Sequence, residues 1–382
     1  MKKRVFSLFM ALALCLSMLP AAAMAEDEGI STQAAVHEHC ICGAEHKTIG
    51  DHENEEQIDF ATKLWYDAES KKLMKGEEEW KSQGVPASGG GTTINYVLSE
   101  GNYYLGTDIT VDRVIIITGD ATLCLNGNSI TGKSYATNVI GIHKDVKFTL
   151  TDCKGYGEIT HALGSEGRGI YVNSNATFDM YGGNITGNNN QNKSNQSNYN
   201  CGAGLIVWNN ATFNLYGGLI SDNTARNGGG VFASGSFNMY GGEITENNAS
   251  NDGAGVYYNS SSGSFTMTGG SIIRNTAGEG GSGVFVNVYN EAVSTFTVSG
   301  DVTIQTNGKD GNSDNVYLEK ENGKTASITI GKDGLADSAR IGVRAKEPAA
   351  GLVVATGAKY SLQGTTQGRY LTGGVPPVRF SM

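Results

Sequence analysis

Between Gly167 and Asn307 short apolar bursts alternate with polar and glycine-rich stretches, and one pattern returns five times. The copies open GRGIYV (Gly167–Val172), GAGLIV (Gly202–Val207), GGGVFA (Gly228–Ala233), GAGVYY (Gly253–Tyr258) and GSGVFV (Gly281–Val286). Each continues to a second burst: Phe178 to Gly183, Phe213 to Gly218, Phe237 to Gly242, Phe265 to Gly270, and a worn copy from Phe296 to Gly300. After each clean Gly-Gly come Ile and then Asn, as Ile185/Asn188, Ile220/Asn223, Ile244/Asn247 and Ile272/Asn275. Within Phe178-Asp179-Met180-Tyr181 the polarity has a period of two, so this is a strand with Phe and Met on one side and Asp and Tyr on the other. Short strands and glycine turns repeating every roughly 25 residues are too brief for a propeller blade and lack a leucine-rich pattern, which predicts an all-β, right-handed parallel β-helix. Phe, Met, Val and Ile should stack on their equivalents in the next coil, and the Asn residues should form a ladder of amide hydrogen bonds in a turn.

Outside the clear copies the pattern weakens but persists. Strands are expected from Thr93 onward, and two early coils span Val114–Gly132 and Val139–Thr160. Cys124 and Cys153 each precede an Ile by six residues, which places them at equivalent positions of adjacent coils, as a buried thiol stack or a disulfide. The β-helix is therefore assigned to 89–343, with its clearest coils at 167–307, and 344–382 to a C-terminal cap. Residues 1–25 have the form of a signal peptide, with Lys2, Lys3 and Arg4 before an apolar run and Ala23-Met24-Ala25 at its end. That run is too short for a membrane span, so a secreted, extracellular chain without membrane insertion is expected.

Composition sharpens this picture in two ways. There are 54 Gly and only 5 Pro among 382 residues, as glycine-turned coils require, and the net charge of −10 argues against nucleic acid or anionic membrane as a partner. Residues 26–88 differ in kind, being polar and lacking the repeat. They hold His37, His39, Cys40, Cys42, His46 and His52, a density of imidazole and thiol that suits a structural zinc site. Cys-x-Cys is not the usual zinc knuckle, and an unmetallated or oxidised polar segment is the competing reading.

Two outward rows are aromatic. Tyr181, Tyr216 and Tyr240 follow the Phe-x-Met/Leu strand in three successive coils, and Tyr171, Ile206, Phe232, Tyr257 and Phe285 form a second row. Such rows offer a glycan flat ring faces, or else stack on each other with no ligand. Catalytic residues are not assigned: Asp179, Asn214, Asn238 and Thr266 share one position, and Asn184, Leu219, Glu243 and Ser271 another, so neither row places carboxylates on adjacent coils. Asp222 and Glu246 do share a turn position, flanked by Gly187 and Arg274, where a solvated turn is the better account.

The segments His37–Gly43, Leu123–Gly127, Leu150–Cys153 with Ile159–His161, and the recurring Phe-x-Met-Tyr-Gly-Gly-x-Ile together resemble large secreted right-handed β-helix proteins of gut Firmicutes, adhesin-like and with polymorphic-membrane-protein-type repeats. The resemblance implies location and architecture, a secreted or surface-associated β-helix, and hands over no catalytic residues. With the aromatic rows and scattered carboxylates, a non-catalytic protein acting in adhesion or in binding glycans or host or bacterial surface proteins is expected. A carbohydrate-active β-helix enzyme, a polysaccharide lyase or glycoside hydrolase of the pectin-lyase-like fold, is the alternative. A carboxylate-lined groove would mark the enzyme, and an aromatic stripe without carboxylates the binder.

Overall fold

The computed structural model describes residues 61–86, 90–133, 137–191, 200–289, 292–308, 314–348, 352–357, 361–365 and 368–372. Among these there is no helix, and the strands stack into long, mostly parallel sheets: the protein is an all-β parallel β-helix. A regular coil contains three strands, such as Val231–Ala233, Ser236–Met239 and Glu243–Thr245, and a two-residue fourth, Asn248–Ala249. We call the three main stacks the Val, Phe and Ile faces. Their register keeps like on like, with Phe237 between Phe213 and Phe265, Ile244 between Ile220 and Ile272, and Val231 between Leu205 and Val256.

The core follows from that register. Phe148, Phe178, Phe213, Phe237, Phe265 and Phe296 are fully buried, with successive ring centroids 4.4–5.7 Å apart and planes within 18°. Met180, Leu215, Met239 and Met267 are buried beside them, so the strand phase read from the alternation is the one adopted. Each offset ring pair adds about 0.5–1.5 kcal/mol beyond its area burial.

At the corner after the Ile face the expected Asn ladder is present. The Nδ2 groups of Asn188, Asn223, Asn247 and Asn275 donate to the Oδ1 atoms of Asn223, Asn247, Asn275 and Asn307 at 2.9–3.0 Å, and each Oδ1 also accepts the backbone N–H of the preceding Asn. The second Nδ2 hydrogen serves an Ile carbonyl of the previous coil, as from Asn247 to Ile220 at 2.9 Å. Every polar atom of these buried amides is thus paired along the stack. The paired glycines make room for this corner. At Gly230 a Cβ would lie 3.0 Å from Asn247 Nδ2, and at Gly228, where φ is +64°, it would lie 2.9 Å from the Cα of Phe232.

The stack begins earlier than the sequence pattern suggests. Thr62–Asp67 pairs in parallel with Gly101–Leu105, so the stack includes a strand from the segment read as a polar appendage. Gln83–Pro86 forms an antiparallel hairpin with the first part of Thr92–Leu98, whose last three residues pair in parallel with Ile115–Ile117 of the Val face. Buried Leu64 and Trp80 anchor this region, and Trp80 packs on Tyr96 at 5.0 Å. At the other end Arg340–Ala345 joins both the Ile and the Val faces, and Gly368–Thr372 lies antiparallel on it.

Cys124 and Cys153 are not register partners. Cys124 pairs with Thr151, and the turn from Thr151 to Ile159, which contains Cys153, is two residues longer than that from Cys124 to Ile130, so the 29-residue offset is reached only at Ile130 and Ile159. The sulfurs still meet across the corner, 3.1 Å apart and as thiols.

Candidate functional site

One outward position of the Val face forms a column through consecutive register partners: Val97, Ile116, Gly141, Tyr171, Ile206, Phe232, Tyr257, Phe285, Tyr317 and Arg344. Its later part is a stack of rings, with Phe232, Tyr257, Phe285 and Tyr317 separated by 5.2, 5.0 and 5.3 Å and closed by Arg344, whose guanidinium lies 4.5 Å over Tyr317. This row is less open than its alternation suggests. Ile206 is buried and Phe285 only 4% exposed, because the left-handed glycines Gly202, Gly228, Gly253 and Gly281 fold the incoming turns against the column.

The first row is more open but presents a different surface from the one expected. Tyr181, Tyr216 and Tyr240 stack at 4.4 and 4.8 Å with planes 6° and 12° apart. Rings stacked along the solenoid axis spend their faces on one another and turn edges and hydroxyls to solvent, and only the terminal two keep a face not taken by the row. The flat platform expected for a sugar is therefore absent at Tyr216. Its hydroxyl is pushed up to about 12 by burial first, then by Asp179 and the neighbouring tyrosines.

A concavity lies elsewhere, in the early coils. A cleft of about 480 Å³ opens on the Val face where the column has Gly141 in place of a side chain. Ile116 and Tyr171, the register partners of Gly141, stand on either side, and Val85, Pro86, Thr93, Ile94 and Asn95 of the hairpin form a wall. Arg113 and Asn138 line one end, at the start of the strands, and His143 and Asn173 the other, just beyond their last residues. Five residues of extended chain separate Asn138 from His143, or about 16 Å. Tyr171 differs from the rest of its row. Ile206 separates it from Phe232, and the ring it meets is that of Trp208, 6.2 Å away and tilted by 55°. Of the seven aromatic residues of the two rows, Tyr171 alone lines the cleft.

Gly141 itself carries no motif and was missed. The signal was present in the aligned strands Val114–Ile117, Val139–Ile142 and Gly169–Val172, whose third position reads Ile, Gly, Tyr.

Carboxylates do gather at one place on the column. Asp252 is pushed up to about 6, by burial first and then by Glu279 and Glu319. Asp314 and Glu319 are held by Arg344 at 2.7 Å and Lys346 at 2.5 Å. The sequence concealed this group because its members lie in turns between the repeats. Asp222 and Glu246 instead sit exposed at φ +54° and +56°, with Glu246 paired to Arg274 at 3.1 Å, as a solvated turn would have them.

Among the described residues no group of His, Cys, Asp and Glu is arranged to hold a metal ion. His37, His39, Cys40, Cys42, His46 and His52 lie outside the described residues, as does the signal-peptide segment 1–25. Among the described residues no helix is long and apolar enough to cross a membrane. The class defined by this architecture is the parallel β-helix. No protein-family model matches the chain, and no match to it is found among curated proteins or solved structures.

Proposed function

We propose that this chain is a secreted, non-catalytic β-helix acting in adhesion or ligand binding at the bacterial surface, and that its ligand is a glycan seated in the cleft over Gly141. One observation carries this reading: the cleft combines an apolar floor and wall, Ile116 and Tyr171, with amide and hydroxyl groups at its ends and hairpin side. A sugar has that same division, apolar C–H faces bordered by hydroxyls, and pockets for such ligands pair a few convergent polar groups with an apolar lining. No carboxylate is among the described residues lining the cleft, so the paired acids of a glycosidase are not supplied there.

A glycan array probed with the purified chain tests the reading, followed by titration of the best ligand against Tyr171→Ala. Binding should fall at least tenfold with an unchanged melting temperature. An array without a hit, or a ligand indifferent to Tyr171, would overturn it.

The second reading, a carbohydrate-active enzyme, is favoured by Asp252, whose raised carboxyl beside Glu279 and the Tyr257 row has the character of a general acid. Polysaccharide cleavage abolished by Asp252→Asn would establish that reading in place of the binder.

A further inference from the structure

We infer that Cys124 and Cys153 are the site of an intrachain disulfide, which fastens the turn from Thr151 to Ile159 over the outward side of the coil before it. The inference is independent of what the cleft binds.

The starting point is a burial that the strand pattern does not account for. Along Ala121–Cys124 the side chains alternate, with Ala121 and Leu123 in the core and Thr122 and Cys124 on the outer side of the Phe face. Cys124 stands there between its register partners Tyr104 and Thr151 of the adjoining coils. An outward thiol should meet solvent, yet Cys124 is fully buried while Tyr104 in the same column is half-buried. Its cover is the long turn that follows Thr151. Leu125 N–H donates to the Thr151 carbonyl at 2.9 Å, and Asp152 ties the turn down, accepting the N–H of Gly127 at 2.7 Å through Oδ1 and that of Gly157 at 2.6 Å through Oδ2. Cys153, next to these anchors, brings its Sγ to 3.1 Å from that of Cys124.

The two extra residues of this turn decide the chemistry. Side chains of stacked register partners run parallel, which aims two sulfurs past each other. Displaced from the partner position by two residues, Cys153 meets Cys124 across the corner instead. The sulfurs need approach by only about 1 Å to reach bonding distance. Lys154, Gly155 and Tyr156, which follow Cys153, are exposed, so the turn has room to give. As thiols the pair gains little from its contact, because S–H is a weak donor and sulfur a weak acceptor.

The difference between the two sulfurs sets the order of the steps. Cys153 is half-buried and within reach of solvent, whereas the contact with Cys153 and then burial push the Cys124 thiol up. Cys153, as the thiolate, attacks one sulfur of a low-molecular-weight disulfide such as oxidised glutathione, forming a mixed disulfide and releasing one thiolate, which takes a proton from solvent. Cys124 then gives its proton to solvent and attacks Cys153 Sγ, expelling the second small thiolate, which is protonated in turn. Two protein thiols are thereby oxidised by two electrons, and one small disulfide is reduced to two thiols.

The test equilibrates the full chain with reduced and oxidised glutathione, the reduced form in about tenfold excess, then blocks remaining thiols with iodoacetamide and maps tryptic peptides by mass without reduction. Trypsin releases Cys124 within Val114–Lys133 and Cys153 within Phe148–Lys154. These two peptides should appear joined, lighter by two hydrogens than their sum, and should separate on reduction. The oxidised chain should melt about 4 °C or more above the reduced one. Cys153→Ser should melt close to the reduced chain, with or without glutathione. Recovery of both peptides alkylated overturns the inference, as does Cys153 joined to Cys201 or to any other cysteine of the chain. A joined pair whose reduction leaves melting unchanged overturns the claim that the bond fastens the turn.

Discussion

The coils from Gly167 to Asn307 and those before them share the same three faces but differ in what stands outside the Val face. In the regular coils the column is filled by Ile206, Phe232, Tyr257 and Phe285, and each ring from Phe232 onward covers the next at 5.0–5.3 Å. In the coils before them the same position holds Ile116 and then Gly141, Tyr171 of the first regular copy borders the gap, and the hairpin from Gln83 to Leu98 supplies a wall. A strict repeat fills with each coil the space its neighbour leaves, so it builds a stable stack and no pocket. Concavity requires a coil that breaks the pattern. The regular copies are therefore the scaffold, and the cleft proposed as the site opens where the repeat breaks.

This contrast can be broken at several points. The largest effect is expected in the regular core, where Met239→Asp places a carboxylate among fully buried apolar neighbours, at roughly 4 kcal/mol or more. Soluble protein should be lost on expression; recovery of a variant with unchanged melting would mean that Met239 does not face the core. Asn247→Ala removes the acceptor of two donors from Asn223, its N–H at 3.1 Å and its Nδ2 at 3.0 Å, and should cost about 2–4 kcal/mol in denaturant unfolding.

Gly141→Leu makes the early column resemble the regular one. An added Cβ would meet the flexible ends of Ile116 and Val114 at 2.8 and 3.4 Å, so folding should survive while glycan affinity drops at least tenfold, or about 1.4 kcal/mol. Undiminished affinity would separate the ligand from the cleft. Tyr216→Ala should do the reverse, with about 0.5–1.5 kcal/mol of stability lost and binding unaffected.

The smallest effect concerns pH. Asp252 is raised to about 6 in the folded chain from an ordinary value of 3.8, so folding favours its protonated form. The unfavourable contribution of its charged form is absent well below pH 4 and grows as pH rises toward 6 and above. Asp252→Asn should accordingly raise the melting temperature at pH 7 and lose that advantage by about pH 4. An equal effect at both pH values would assign the change to something other than titration.

Much of the fold was legible because the repeat states it many times. The alternation in Phe-x-Met/Leu placed Phe178 and Met180 inside, and the spacing Ile-x-x-Asn announced the ladder from Asn188 to Asn307. What escaped was written only once. Leu64 and Trp80 lie in a segment whose Lys and Glu content masks two hairpins, and a single Gly141 between Ile140 and Ile142 looks like any other glycine until its register partners are known. The ring rows were found, but alternation gives the side of a sheet and not the plane of a ring. The stacking of Tyr216 edge-outward is a property of the 4.4 and 4.8 Å spacing between neighbouring rings.

The most direct test is a crystal structure of the full chain with the tightest ligand from the array. The ligand should lie over Gly141, with a sugar ring against Tyr171. A ligand found instead along Tyr181, Tyr216 and Tyr240, or beside Asp252, would contradict the claim that the break in the repeat makes the site.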